Sequence, residues 1–134
     1  MRRLTPDPFW PNRHVAASVC LFMALAPGVV QAAESPVYVI AGASIERGRQ
    51  VIEAAGCAAC HTIPGVPAAL GNVGPPLARI GDRTFIAGML TNTPANMIRW
   101  LRFPQSVVPG NAMPDMKLSD PDARDIAAFL YTLH

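Results

Sequence analysis

Gly56-Cys57-Ala58-Ala59-Cys60-His61 is the stretch on which the fold of this chain turns. Two thiols stand one helical turn apart, and an imidazole follows the second at once. That spacing suits a porphyrin edge, because both sulfurs can reach the two vinyl groups while the adjacent histidine meets the iron. The stretch therefore implies one haem c attached through Cys57 and Cys60, with His61 as an iron ligand. Three other readings compete with it: a redox disulfide, a structural zinc site and chance. A redox Cys-x-x-Cys normally sits in a βαβ pattern, which this helix-and-loop chain lacks. A tetrahedral zinc site needs four ligands, and residues 33–134 offer Cys57, Cys60, His61 and His134 as natural candidates.

The N-terminal end weighs on the same choice. Arg2, Arg3 and Arg13 precede an apolar run over residues 15–30, and Gln31-Ala32-Ala33-Glu34 follows. Charged, apolar and small residues in that order are a secretory signal, with cleavage expected after Ala32 and a periplasmic destination. The run holds 16 residues and is broken by Pro27-Gly28, short of the roughly 20 apolar residues of a spanning helix. An uncleaved N-terminus serving as an anchor is the alternative, and the one expected route to a membrane. Leu4-Thr5-Pro6 after Arg2-Arg3 does not resemble a twin-arginine signal, and Cys20 behind Val19 does not suit lipid modification. Thiols sent to an oxidising compartment pair as disulfides unless something holds them apart. Thioether bonds to haem do so.

Residues 1–32 form the signal, 33–43 a short leader, and 44–134 a single domain. Without the signal the chain loses Arg2, Arg3, Arg13 and Asp7, leaving eight basic and eight acidic side chains. The basic excess that marks a nucleic-acid-binding protein is absent. A domain of about 100 residues buries a modest share of its surface, so a large cofactor contributes usefully to its core.

Helical spacing over residues 44–55 puts Ile45, Gly48, Ile52 and Ala55 on one face, with Ser44 as N-cap and Gly56 as terminator. Residues 62–82 carry Pro64, Gly65, Pro67, Gly71, Gly74, Pro75, Pro76 and Gly81. So many breakers exclude a long regular element, and an irregular stretch of that length usually wraps something. Thr93-Pro94 opens a second helix through Met97, Ile98, Trp100 and Leu101 that stops near Pro104. A second loop spans 105–118. Ser119 and Asp122 then cap a last helix in which Ile126, Phe129, Leu130 and Leu133 recur at helical intervals. No alternation is long enough for a sheet, and there is no internal repeat.

From residue 48 to residue 133 the chain resembles a class I cytochrome c. That family's fold is all-α: three to five helices wrapped around one covalently bound haem. Gly74-Pro75-Pro76-Leu77 is similar to the family's Gly-Pro-x-Leu segment, which implies that the Pro75 carbonyl accepts a hydrogen bond from His61 and makes it a better iron donor. Pro109-Gly110-Asn111-Ala112-Met113-Pro114 resembles the methionine loop, so Met113 is the implied sixth ligand and Met116 its rival; Met89 and Met97 are core fillers. Arg83 falls where related cytochromes place an arginine near a haem propionate, with Asn111 adding a hydrogen bond to the same group. Trp100 serves both core and haem wall. Gly48 and Phe129 resemble the family's contact between first and last helices, glycine against an aromatic ring.

Histidine and methionine together close both axial positions, which favours electron transfer over catalysis. The resemblance thus implies a non-enzymatic single-electron carrier of a bacterial respiratory chain, with a quinol-oxidising or dehydrogenase donor and a terminal oxidase acceptor. Asn92-Thr93-Pro94 and the ending residues 125–133 are also similar to oxidase-associated bacterial cytochromes c. Two other readings stay open. One is a haem-bearing subunit of a dehydrogenase or terminal oxidase complex. The other is a peroxidase or gas-binding protein, which needs a vacant sixth site.

Overall fold

The structure is a computed structural model that describes residues 38–134. The expected signal or anchor over residues 1–32 and the first part of the leader lie outside the described residues.

Helix α1 spans Ile45–Ala54. Ser44 sits in extended conformation before it, and its hydroxyl accepts the Arg47 N–H at 3.2 Å, satisfying one of the donors a helix start leaves over. At the other end Gly56 takes φ +75°, a left-handed geometry that a side chain resists, and turns the chain out of the helix. One 3-10 turn, Cys57–Ala59, follows directly. The N–H groups of Cys60 and His61 both reach back to the Cys57 carbonyl, at 3.2 and 3.0 Å. The motif is thus wound by its own backbone.

Helix α2, Pro94–Arg102, starts at Thr93, whose hydroxyl accepts the Asn96 N–H at 3.3 Å, with proline in the first turn where its missing N–H costs nothing. A four-residue helix α3, Pro104–Val107, follows after Phe103, where a loop was expected. Helix α4, Asp120–Leu130, is capped by Ser119, which accepts the Asp122 N–H at 3.2 Å and donates to its carboxylate at 2.6 Å. Four helices make the described residues largely helical.

The expectation that no strands form is corrected in one place. β1 (Phe85–Ile86) pairs antiparallel with β2 (Leu90–Thr91), Phe85 opposite Thr91 and Ile86 opposite Leu90. Two-residue strands are too short to show alternation in a sequence. The Met89 N–H closes the connecting turn on the Ile86 carbonyl at 3.0 Å. Met89 stands at the tip and is 65% exposed, so it is no core filler, whereas Met97 is buried as expected.

The core is built where α4 meets α1 and α2, from Ile52, Met97, Leu101, Ile126, Phe129 and Leu130. Ile45, placed on the apolar face by spacing, is half exposed. The α1–α4 approach is close enough that a Cβ on Gly48 would fall on the Asp125 carbonyl. Gly48 therefore meets the α4 backbone at Asp125 and Ile126, and Phe129 is buried one turn further on.

Asp125 is fully buried at this contact. Its Oδ1 accepts the Ser44 backbone N–H at 2.7 Å, and Arg47 Nε donates to its other oxygen. Burial pushes the carboxyl up, but the Arg47 guanidinium and the Ser44 N–H outweigh that and hold it below the usual carboxylate range. α4 thereby pins the first turn of α1.

Gly48→Ala should cost about 3 kcal/mol, since the obstacle is backbone that cannot rotate away, and lower the melting temperature by more than about 10 °C in a circular-dichroism melt. Because the Asp125 carboxyl is lower in the folded state, its stabilisation is full at neutral pH and fades as pH falls below about 4. The stability gap between wild type and Asp125→Asn, measured by urea unfolding, should accordingly be constant near neutrality and close in acid.

Candidate functional site

Between the loops lies a cavity of about 390 Å³, within the range of roughly 300–1,000 Å³ usual for cofactor sites. All eight residues singled out from sequence line it: Cys57, Cys60, His61, Pro75, Arg83, Trp100, Asn111 and Met113. Ile52, Ile80, Ile86, Leu101, Ile126 and Leu130 give it an apolar wall. Met116 lines the cavity as well, so position alone does not separate the two loop methionines.

Backbone bonds fold the proline-rich loop onto the Cys-x-x-Cys-His turn. The Gly71 N–H donates to Ala58 O at 3.2 Å, Gly74 N–H to Cys60 O at 2.8 Å, and Leu77 N–H to Thr62 O at 2.8 Å. His61 Nδ1 then stands 2.7 Å from the Pro75 carbonyl oxygen. A carbonyl only accepts, so Nδ1 carries the proton and Nε2 keeps its lone pair. Gly74 makes the arrangement possible: a Cβ there would lie 2.7 Å from Nδ1 and 2.8 Å from Nε2.

Cys57 and Cys60 are both half-buried and unpaired. Burial pushes the Cys57 thiol up, with Cys60 adding to the effect, so the sulfur stays protonated and uncharged at neutral pH. Trp100, on α2, is half-buried against the core, and its indole N–H has no hydrogen-bond partner among the described residues. Arg83 Nη2 donates to the carbonyls of Pro76 and, at 3.2 Å, Ala78. These bonds use one nitrogen of a guanidinium that has five N–H donors in all.

Asn111 holds the loop that it belongs to. Its Nδ2 donates to Pro104 O at 3.0 Å and Val108 O at 2.6 Å, while its Oδ1 accepts the Met113 N–H at 2.8 Å. The amide thus ties the methionine loop together at the edge of the cavity.

The supporting roles of two further residues escaped the sequence. Buried Asn92 donates to the carbonyls of Ile80 and Arg83, both at 2.8 Å, and accepts the Tyr131 hydroxyl at 2.8 Å, fixing the backbone that carries Arg83. Gln105 on α3 bonds the backbone of residues 110, 111 and 113. Neither belongs to a periodic pattern or a ligand motif, and an isolated amide in a loop carries no signal of its own.

Residues 45–134 match the cytochrome c family, and the chain belongs to it. Haem binding and electron transfer go with that family. Among curated proteins it is similar to cytochrome c oxidase subunit 2 of Alkalihalophilus pseudofirmus, 39% identical over 88 residues, which is 65% of this chain and 25% of that protein. It is likewise similar to the proteins of the same name from Bacillus sp. strain PS3, 42% identical over 59 residues (42% of this chain, 17% of the relative), and from Bacillus subtilis, 30% identical over 89 residues (63% and 25%). The chain thus spans a quarter or less of the length of these relatives.

The site fits a haem. Two unpaired thiols, an imidazole with Nδ1 already bonded away, a thioether and an otherwise apolar lining are the donor set and surroundings that such a group takes.

Gly74→Ala should push the His61 ring off the Pro75 carbonyl. The share of chains carrying haem, read by intact mass after co-expression with a haem-attachment system, should fall severalfold, because groups that hydrogen-bond a ligating histidine commonly matter about 10-fold or more.

Proposed function

We propose that this chain is a single-electron carrier of a bacterial respiratory chain, exported to the periplasm, with one haem attached through Cys57 and Cys60 and its iron held by His61 and Met113. The observation that carries this reading is the 2.7 Å contact of His61 Nδ1 with the Pro75 carbonyl, in a cavity that also gathers both cysteines and Met113. When bound, the haem supplies a one-electron Fe(II)/Fe(III) couple. Everything else falls to the chain. Cys57 and Cys60 provide the sulfurs for covalent attachment. Pro75 holds one imidazole nitrogen, so that Nε2 is the free donor, and strengthens its basicity.

Met113 is favoured over Met116 because its own peptide is held on both sides: its N–H by Asn111 Oδ1 at 2.8 Å, its carbonyl by Gln105 Nε2 at 2.8 Å. Met116 stands between Asp115 and Lys117, whose side chains pair with each other at 2.7 Å. Arg83, with donors beyond those given to Pro76 and Ala78, is the partner for a propionate. Trp100 and the aliphatic residues would wall a bound haem off from water, and with His61 and Met113 both holding the iron no place would be left for substrate. The reading is therefore of an electron-transfer protein, not an enzyme.

A second reading has its own support. The similar proteins are named subunits of cytochrome c oxidase, which favours a haem-bearing component of a terminal oxidase complex over one of a dehydrogenase. No helix among the described residues is long and apolar enough to cross a membrane, so association with such a complex would run through protein contacts or an uncleaved N-terminus. Co-purification from detergent extract separates a free carrier from a stable subunit.

The ferric protein should show the weak far-red band of histidine and thioether sulfur on iron. Met113→Ala should abolish it, admit cyanide or carbon monoxide, and lower the reduction potential, while Met116→Ala changes none of these. Wild-type protein without the band that binds carbon monoxide freely would sink the carrier reading and leave a gas-binding or peroxidase role. Replacing Cys57 and Cys60 together by alanine should leave no haem on the chain after acid-acetone extraction.

A further inference from the structure

The methionine loop has almost no secondary structure to hold it. α3 is four residues long, too short to be stable by itself, and between residues 108 and 116 one backbone bond, Asn111 N–H to Val108 O at 3.2 Å, supports the turn. Rigidity has to come from side chains. Asn111 supplies part of it from within the loop, as described above.

Gln105 supplies the rest from α3. It is an exposed residue, and exposed glutamines are ordinarily solvated. Here Oε1 accepts the Gly110 N–H at 3.1 Å, and Nε2 donates to Asn111 O at 2.9 Å and Met113 O at 2.8 Å. Both amide N–H groups and one carbonyl lone pair are used. The partners also fix which way the amide faces, since a donor meets the oxygen and two acceptors meet the nitrogen. Replacing the amide by any group of like size breaks at least part of this set.

We infer that Gln105 is a positioning residue that locks the loop presenting the sixth ligand, so that the Met113 sulfur stays poised to reclaim iron from competitors. The inference rests on the reading that Met113 is that ligand. A residue whose N–H and carbonyl are both tied has few backbone states to explore, which keeps the local concentration of its side chain at the site high. An external ligand must then compete against a tethered sulfur that returns quickly. Freeing the Met113 carbonyl widens the states the loop can adopt and weakens the competition. Loss of these hydrogen bonds should make cyanide bind ferric protein about tenfold more tightly.

The test uses ferric holoprotein near pH 7 and four variants. Gln105→Ala removes all three bonds. Gln105→Glu keeps the size and the acceptor for Gly110, but turns oxygen toward the Asn111 and Met113 carbonyls. Ser119→Ala removes the cap of α4 and destabilises the domain without touching the loop. Met113→Ala reports on the ligand itself. Cyanide affinity, the far-red band and the melting temperature are read for each. Both Gln105 variants should show about tenfold tighter cyanide binding and a weakened band, while Ser119→Ala lowers the melting temperature with cyanide affinity unchanged. Gln105 variants with wild-type affinity, or a Ser119→Ala shift as large as theirs, would overturn the lock and reduce Gln105 to an ordinary stabilising contact. Should Met113→Ala retain the band, the ligand reading fails and the lock with it; should it lose the band while the Gln105 variants stay unchanged, the lock alone fails.

Discussion

Gly48 lets the backbones of α1 and α4 touch, and the position of everything around the cavity follows from that contact. A side chain at residue 48 would collide with the Asp125 carbonyl, so the helices can pack at this distance only with glycine there. Once they do, Asp125 is buried, and a buried carboxylate without partners would be costly. The Ser44 N–H and the Arg47 guanidinium are delivered to it by the same packing. α1 is thus held at its first turn, its last turn is fixed in consequence, and the Cys57–Ala59 turn that continues from it is placed toward Ile126 and Leu130 of α4.

From that fixed turn outward the protein uses carbonyl and amide groups, more than regular elements, to place its chemistry. The proline-rich loop is laid onto the motif by three backbone bonds and returns a carbonyl to His61. The segment bearing Arg83 is held by Asn92, and the methionine loop by Asn111 and Gln105. Three amide side chains do for irregular backbone what a ladder does for strands. They satisfy polar groups that a loop around an apolar cavity would leave bare.

Three helices were legible in the sequence because each announces its start: Ser44, Thr93 and Ser119 all cap as the residue order implied, and the apolar period after them fixes the buried face. Cys57, Cys60 and His61 were legible because haem attachment demands a spacing that little else needs, whereas Pro75, Arg83, Trp100, Asn111 and Met113 came through the resemblance to class I cytochromes c. The short elements were not. Four residues of α3 and two-residue strands carry no period, and tertiary packing rather than propensity forms them. Asp125 was silent for another reason: an acidic residue in a helix is read as solvent-facing, and its burial depends on partners 78 and 81 positions away. Asn111 was assigned by resemblance to a cofactor contact, and its bonds within its own loop carried no signal in the sequence.

The pairing of α1 with α4 joins the beginning of the described domain to its end. Tyr38 packs on Tyr131 with ring centroids 4.6 Å apart, and Leu133 O accepts the Gly81 N–H at 3.0 Å, so both ends of the described residues come close together, and units of that kind are easily spliced into other polypeptides. Relatives about four times as long share this stretch over a quarter of their length. The domain is therefore portable: it can be joined to, or parted from, a longer polypeptide by changes in sequence outside the cavity, with the residues that line the cavity left as they are.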